Sequence, residues 1–209
     1  MRLIFVHGWA LEPDIWDALA PRLACFAQMR VDLGFFGAPD LPDLRDGDIL
    51  VGHSMGLLWG LSQHADWAGI VAINAFARFT LDDAGHGCVK PASLRAMRQA
   101  LERDPQACAN AFRASLGLAP ARGRAQKERL MTGLDLLRDG QVAALPEGAA
   151  LLALGAEDDS LAPPAATRDL AALTGGALAL NATGGHGLPW TAPDFCAEQI
   201  LAFLKAHDA

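Results

Sequence analysis

The residues best suited to chemistry lie around a serine set between two glycines. Ser54 stands in Gly52-His53-Ser54-Met55-Gly56, a G-x-S-x-G motif. An apolar run at 48–51 reads as a short buried strand before it, and 57–64 is compatible with a helix after it. This order places a serine on a sharp turn with its hydroxyl exposed, and a side chain at position 52 or 56 would collide with neighbouring backbone. The motif therefore predicts that Ser54 is a nucleophile.

A serine hydroxyl becomes a good nucleophile only when a base removes its proton, and an acid must hold that base in place. His186 is the candidate base because it follows the last strand candidate in a loop of glycines, Gly184-Gly185-His186-Gly187. The glycines would let this loop reach over Ser54. The remaining histidines are interpreted as surface or structural residues: His7, His53, His64, His86 and His207.

Three consecutive acids follow the strand candidate at 149–155, and each is a candidate partner for His186. The nucleophile-acid-base order along the chain matches that of one known serine hydrolase architecture. We prefer Asp158, three residues after Gly155, with Asp159 as the alternative and Glu157 third. The acids that are not used would form a solvated loop.

Two backbone N–H groups are expected to stabilise the oxyanion that forms during attack on a carbonyl. The candidates are Met55, directly after the serine, and Trp9, in the loop after the first strand. Trp9 could instead be an ordinary core tryptophan. The chain has no dinucleotide fingerprint, phosphate-binding loop or zinc-protease motif, so we expect no cofactor and no metal.

Strand-like and helix-like segments alternate along most of the chain, which predicts an α/β fold with a mainly parallel sheet flanked by helices. The expected strands are 3–6, 28–33, 49–53, 69–74, 149–155 and 177–181. A helix is expected to begin at Asp14 as N-cap and to be shortened by Pro21. No strand candidate occurs in 78–145, so we expect a helical lid there, inserted into a core of 1–77 and 146–209.

Composition limits the classes of function. The chain has 209 residues, of which 52% are hydrophobic and 20% charged, as expected of one globular domain. The chain has no run of 18 apolar residues, so we expect no membrane span. The four scattered cysteines and the absence of a signal peptide favour a cytoplasmic protein.

The net charge of −7 is unevenly distributed. Segment 78–138 carries 11 basic and 6 acidic residues, whereas the rest carries 6 and 18. This distribution argues against nucleic-acid binding, which would need a basic face on the main body, and is compatible with an acidic partner that docks on the lid.

Together these residues resemble the α/β-hydrolase superfamily over nearly the whole chain. Within it, the chain is most similar to the pimeloyl-[acyl-carrier-protein] methyl ester esterases of biotin synthesis. The narrower resemblance rests on Val6-His7-Gly8-Trp9 with Trp16, on 77–80 with 89–94, and on 133–139. The chain departs from the superfamily at 32–37, where Asp-Leu-Gly-Phe-Phe-Gly replaces D-x-P-G-x-G, and it begins directly at the first motif-bearing strand.

The resemblance implies a serine carboxylesterase with Ser54, Asp158 and His186 as its triad and Trp9 and Met55 as its oxyanion donors. Its expected substrate is the methyl ester of a pimeloyl group on acidic acyl-carrier protein, and its lid arginines would bind that carrier. The candidates here are Arg95, Arg98, Arg103 and Arg113, although they could equally form the solvated face of amphipathic helices.

Two other functions stay open at the level of sequence. One is a general short-chain carboxylesterase or thioesterase. The other is a non-catalytic protein that binds an acyl chain or a carrier protein, against which the complete set of serine, histidine and acid argues. We expect a monomer.

Overall fold

Six parallel strands form the sheet of this protein, whose computed structural model describes residues 1–63 and 66–207. The strands are β1 (Arg2–Val6), β2 (Ala27–Val31), β3 (Asp48–His53), β4 (Gly69–Ile73), β5 (Ala150–Ala156) and β6 (Ala177–Asn181). Their order across the sheet is β2-β1-β3-β4-β5-β6. The α/β prediction is thus confirmed, and because all strands run parallel, their carboxyl ends lie along one edge.

The central strands are apolar on both faces because helices cover both sides of the sheet. In β1, Ile4 and Val6 pack into the layer that contains the lid, while Leu3 and Phe5 pack into the layer on the opposite face. All four side chains are fully buried. Successive side chains of a strand point to opposite faces of the sheet, and the core is therefore divided into two layers, one on each face.

Seven α-helices occur in the described part of the chain. They are α1 (Met55–Gln63), α2 (Pro91–Arg103), α3 (Pro105–Ser115), α4 (Lys127–Asp139), α5 (Pro164–Thr174), α6 (Leu188–Thr191) and α7 (Pro193–His207). The helix predicted after Ser54 ends at His64, a residue that lies outside the described part of the chain.

The helix predicted from Asp14 was wrong. The chain forms two short 3₁₀ segments, Pro13–Trp16 and Ala20–Leu23, and Glu12 rather than Asp14 occupies the N-cap position of the first. Pro21 has no backbone N–H to donate, which prevents one continuous helix across this region. The apolar residues that suggested a helix are still buried.

Helices α2, α3 and α4 all lie between β4 and β5, within the segment 78–145 that the sequence assigned to a lid. Helix α2 packs against α3 and α4, and α4 also packs against α1 beside the serine motif. Asp104 ends α2 and caps α3, because its carboxylate accepts the backbone N–H of Ala107 at 2.9 Å. No helix in the described ranges is long and apolar enough to cross a bilayer.

Candidate active site

Ser54 occupies a strained turn between β3 and α1. Its φ is +54°, in the left-handed region that a residue with a side chain rarely adopts. Backbone bonds hold this turn: the Ser54 N–H donates to Ile73 O at 3.0 Å, and the Leu57 N–H donates to Ser54 O at 3.2 Å. A Cβ at Gly52 would lie 2.7 Å from the Leu57 backbone, and one at Gly56 would lie 2.2 Å from the Val6 carbonyl oxygen. Only glycine fits on either side of the turn.

His186 and Asp159 form a buried pair beside this turn. The His186 Nδ1–H donates to Asp159 Oδ2 at 2.9 Å, and both side chains are almost completely excluded from solvent. In the neutral imidazole this bond places the proton on Nδ1 and leaves a lone pair on Nε2, which has no hydrogen-bond partner among the described residues, Ser54 included. The imidazole is therefore in the tautomer that can accept a proton from a serine hydroxyl.

The preference for Asp158 as the partner of His186 is corrected, because the structure places Asp159 there. A tight turn, in which the Asp159 N–H donates to Ala156 O at 3.2 Å, follows β5 and turns Asp159 inward. Asp158 remains exposed, and its carboxylate accepts the backbone N–H groups of Gly184 and Gly185 at 3.2 and 2.7 Å. The third acid, Glu157, is exposed and pairs with Arg168.

Hydrogen bonds keep Asp159 ionised in spite of its burial. Burial by itself raises the pKa of this carboxyl, but the hydrogen bond and charge of His186 and the N–H groups of Ala162 and Leu161 outweigh it. Both N–H groups donate to Asp159 Oδ1 at 2.9 Å. The net effect is a pKa below the usual range of an aspartate, so the carboxylate is available as an acceptor at neutral pH.

His53, the residue before Ser54, packs on the other side of His186. The two ring centroids lie 5.0 Å apart, and the His53 Nε2–H donates to the backbone oxygen of His186 at 2.9 Å. Complete burial, together with the neighbouring His186, lowers the pKa of His53 to about 3. His53 is therefore neutral at physiological pH and holds the backbone of the histidine loop in place.

Trp9 and Met55, the predicted oxyanion donors, lie on the two segments next to Ser54. Met55 is the first residue of α1, where a helix has N–H groups without internal acceptors. The Trp9 loop is close as well, because a Cβ on Gly8 would lie 3.1 Å from Ser54 Cβ. The Trp9 indole is also a core group, since its Nε1–H donates to Leu130 O at 2.8 Å and so fixes α4 over the site.

Ser54 lies at the wall of a mainly apolar cavity of about 140 Å³ between the sheet and the lid. The floor carries Trp9, and the other walls come chiefly from lid residues. These wall residues are Phe79, Val89, Ser93, Leu94, Met97, Phe112, Leu137 and Leu161. Such a lining suits a short aliphatic group and excludes water from the serine.

Two further cavities border the site. One of about 300 Å³ lies on the His186 side and is lined by Leu161, Phe112 and the loop that carries the histidine. The other, of about 240 Å³, contains Arg95, Arg98 and Arg138. Leu94 lines both this cavity and the one at Ser54, so the two spaces share a wall residue.

The four lid arginines named from the sequence have different environments. Arg95 and Arg103 are exposed and form no ion pair with any described residue, whereas Arg98 pairs with Asp135 inside the lid. Arg113 is buried, with 4% of its surface exposed, and it cannot present its charge to a partner.

Arg113 instead joins the lid to the core. Its guanidinium lies 3.2 Å from Glu12 Oε2, donates to Ala119 O at 2.9 Å and stacks on Phe36. The prediction that Arg113 binds a carrier protein is therefore corrected. A long cationic side chain on an amphipathic helix can also point into the protein, where it pairs with a carboxylate such as that of Glu12.

Sequence reasoning missed one buried polar residue at this site, Asn74, which follows β4 and contacts Asp159. A polar side chain at the carboxyl end of an otherwise apolar strand, next to the serine-bearing strand, was the available signal. No group of three His, Cys, Asp or Glu side chains among the described residues is arranged to hold a metal ion.

Two known proteins resemble the chain in sequence. None of the protein-family models matches the chain. It is 29% identical over 174 residues to a pimeloyl-[acyl-carrier protein] methyl ester esterase of Aromatoleum aromaticum, a match that covers 72% of this chain and 70% of the relative. It is 26% identical to the biotin biosynthesis bifunctional protein BioHC of Cellvibrio japonicus over 97% of this chain, but it spans only 47% of that protein.

Solved structures with the same fold include two esterases, from Exiguobacterium antarcticum and Thermogutta terrifontis. The TM-scores are 0.78 and 0.77, each at 17% identity, and the matches cover 98% and 100% of this chain and 92% and 91% of theirs. A bromoperoxidase from Bacillus anthracis also matches, with a TM-score of 0.70 at 17% identity over 98% of this chain and 91% of its own. The chain therefore has the α/β-hydrolase fold, and its sequence resembles a pimeloyl-[acyl-carrier protein] methyl ester esterase.

Proposed function

We propose that the chain is a serine carboxylesterase that uses Ser54, His186 and Asp159. The observation that carries the proposal is the buried His186–Asp159 hydrogen bond at 2.9 Å, which engages Nδ1 and leaves Nε2 without a partner among the described residues, close to the strained Ser54 turn. This pairing of a base with an orienting acid is what activates a serine hydroxyl.

Ser54 Oγ attacks the ester carbonyl carbon while His186 Nε2 takes the hydroxyl proton. The Trp9 and Met55 N–H groups bind the resulting oxyanion. The bond from the acyl carbon to the alcohol oxygen then breaks, and His186 returns the proton to the departing alcohol. Water, deprotonated by His186, next attacks the acyl-enzyme, and release of the acid restores the Ser54 hydroxyl. Asp159 stabilises the charged imidazolium in both steps.

The substrate we propose is the methyl ester of a dicarboxylic acyl chain on an acidic acyl-carrier protein. Support comes from the relative named as a pimeloyl-[acyl-carrier protein] methyl ester esterase and from the exposed cations of α2. Arg95 and Arg98 line a cavity that shares the wall residue Leu94 with the space at Ser54. A carrier protein docked there would bring its acyl chain to the serine.

The test is hydrolysis of methyl pimeloyl-carrier protein, followed by mass spectrometry, in parallel with small p-nitrophenyl esters. Arg95→Glu should raise KM for the carrier substrate and leave kinetics on p-nitrophenyl butanoate unchanged. Lys205→Glu makes the same charge change on α7, on the opposite face of the sheet, and serves as the matched control. Equal effects of the two variants would refute docking at the lid.

A general short-chain carboxylesterase or thioesterase is the second candidate, and the small volume of the Ser54 cavity, about 140 Å³, favours it. Hydrolysis of small esters without turnover of the carrier substrate would select this function. A non-catalytic binding protein would neither hydrolyse esters nor react with a fluorophosphonate at Ser54.

A further inference from the structure

Asn74, which follows β4, forms hydrogen bonds both to Asp159 and to the loop that carries His186. Its side chain is fully buried and its φ is +48°, a conformation that asparagine tolerates better than most residues. Its Nδ2 donates to Asp159 Oδ2 at 2.8 Å and to Gly185 O at 2.9 Å. Its Oδ1 accepts the Leu188 N–H at 3.2 Å. Both amide hydrogens and the oxygen are thus engaged.

The loop that carries His186 depends on side chains for its order. Gly184 and Gly185 both have positive φ, at +130° and +55°, and glycine gives a loop little conformational preference of its own. Asp158 binds two N–H groups of this loop, and His53 binds the carbonyl of His186.

Asn74 differs from these other anchors because it bonds both to the loop and to Asp159. The Asp159 oxygen that accepts the Asn74 amide is also the one that accepts His186 Nδ1–H. Two donors on one oxygen fix the rotation of the carboxylate as well as its position. The amide carries no proton in the reaction, so it acts only through Asp159 and the loop, by orienting them and by hydrogen-bonding to the carboxylate oxygen.

We propose that Asn74 is a positioning residue, which holds the carboxylate of Asp159 and the loop of His186 in the arrangement that proton transfer at Ser54 requires. This inference rests on the proposed esterase function. Without the Asn74 amide, Asp159 Oδ2 keeps only the His186 donor, while Oδ1 keeps the N–H groups of Leu161 and Ala162, so the carboxylate is held less tightly on the side that faces the imidazole. The Gly185 carbonyl and the Leu188 N–H lose their Asn74 partner as well. An angular change of the imidazole then lowers the rate of the chemical step without altering the acyl cavity.

A change in the pH dependence of activity should accompany the loss of rate. The ionisable groups that face His186 are Asp159 at Nδ1, His53 against its ring and Asp158 beneath its loop. Cys88 is a further neighbour of Asp159. A carboxylate that loses a neutral donor carries more negative charge on its oxygen and holds the protonated imidazole more strongly. The acid limb of kcat/KM against pH therefore moves to higher pH.

The experiment compares Asn74→Ala and Asn74→Gly with Asn181→Ala. Asn181 is a matched control because it ends β6, which β5 separates from β4, and its amide donates to Thr183 O rather than to the catalytic pair. The glycine variant accepts positive φ and so separates loss of the amide from backbone strain. Each protein is assayed on p-nitrophenyl butanoate across the pH range, and folding is checked by urea unfolding.

The expected result is a fall in kcat of about 10- to 100-fold for both Asn74 variants, with KM changed by less than about 2-fold. The acid limb should move to higher pH, and Asn181→Ala should behave as wild type. Folded Asn74 variants with wild-type kcat, or with reduced kcat and an unmoved acid limb, would overturn the inference.

Fluorophosphonate labelling distinguishes failure of this inference from failure of the proposed function. If the wild-type protein labels at Ser54 and the folded Asn74 variants label equally fast, only the role of Asn74 is refuted. If the wild-type protein neither labels nor hydrolyses any ester, the proposed function fails, and the role of Asn74 fails with it.

Discussion

His53 should make the folded protein sensitive to mild acid. In the folded protein its pKa is about 3, whereas an exposed histidine titrates near 6.5. The unfolded chain therefore binds one more proton than the folded chain between these values, so stability that is present above about pH 6.5 is lost as the pH falls toward 3. One pKa unit corresponds to about 1.4 kcal/mol, so His53 alone should remove roughly 2.5 kcal/mol of unfolding free energy between about pH 7 and about pH 4.5.

His53→Gln tests this reasoning because a buried glutamine can still donate to the His186 carbonyl but does not titrate. The unfolding free energy is measured by urea titration at several pH values. The quantity compared is its slope against pH, not its absolute value. Between about pH 7 and about pH 4.5 the wild type should lose about 2.5 kcal/mol more than the variant. His86→Gln removes an exposed histidine of the lid and is the control. Equal slopes for wild type and His53→Gln would refute the assignment of His53 as a buried neutral group.

The remaining predictions concern the acid, the lid and the acyl cavity. Asp159→Asn should lower kcat for ester hydrolysis by about 10³- to 10⁴-fold, whereas Asp158→Asn should lower it by less than about 10-fold; the reverse order would contradict the placement of the two acids. Arg113→Met should lower the urea unfolding free energy by about 2–4 kcal/mol because it leaves a carboxylate partly buried and unpaired, and Arg95→Ala should change it by less than about 0.5 kcal/mol. Leu94→Ala should join the Ser54 cavity to the cationic one and raise the ratio of kcat/KM for p-nitrophenyl octanoate over butanoate by about 10-fold, and an unchanged ratio would show that Leu94 does not limit chain length.

The fold was predictable because its signals are local. The central strands β1, β3, β4 and β5 are short, mainly apolar runs, and burial on both faces of a parallel sheet produces such runs directly. The serine turn was equally clear, since only glycine fits at positions 52 and 56. The helix expected from Asp14 failed although its apolar spacing was right, because Pro21 allows only short 3₁₀ turns there.

The site was less predictable where it depends on contacts between distant segments. Asp158 and Asp159 are adjacent and chemically identical, and only the turn after β5 decides which of them faces inward. The sequence around Arg113 indicates an exposed position on an amphipathic helix. The structure shows that its partner is the carboxylate of Glu12, which is distant in sequence. Asn74 belongs to no motif, and its importance becomes visible only when β4, Asp159 and the loop of His186 come together.

Covalent labelling is the most direct test of a nucleophilic Ser54 activated by His186 and Asp159. The folded protein would be treated with a fluorophosphonate and digested, and the modified residue would be located by mass spectrometry, with Ser54→Ala and Asp159→Asn in parallel. The account predicts one adduct per chain on Ser54, none in Ser54→Ala, and labelling at least about 100-fold slower in Asp159→Asn. An unlabelled wild-type protein, or an adduct that persists in Ser54→Ala, would contradict the assignment of Ser54 as the nucleophile.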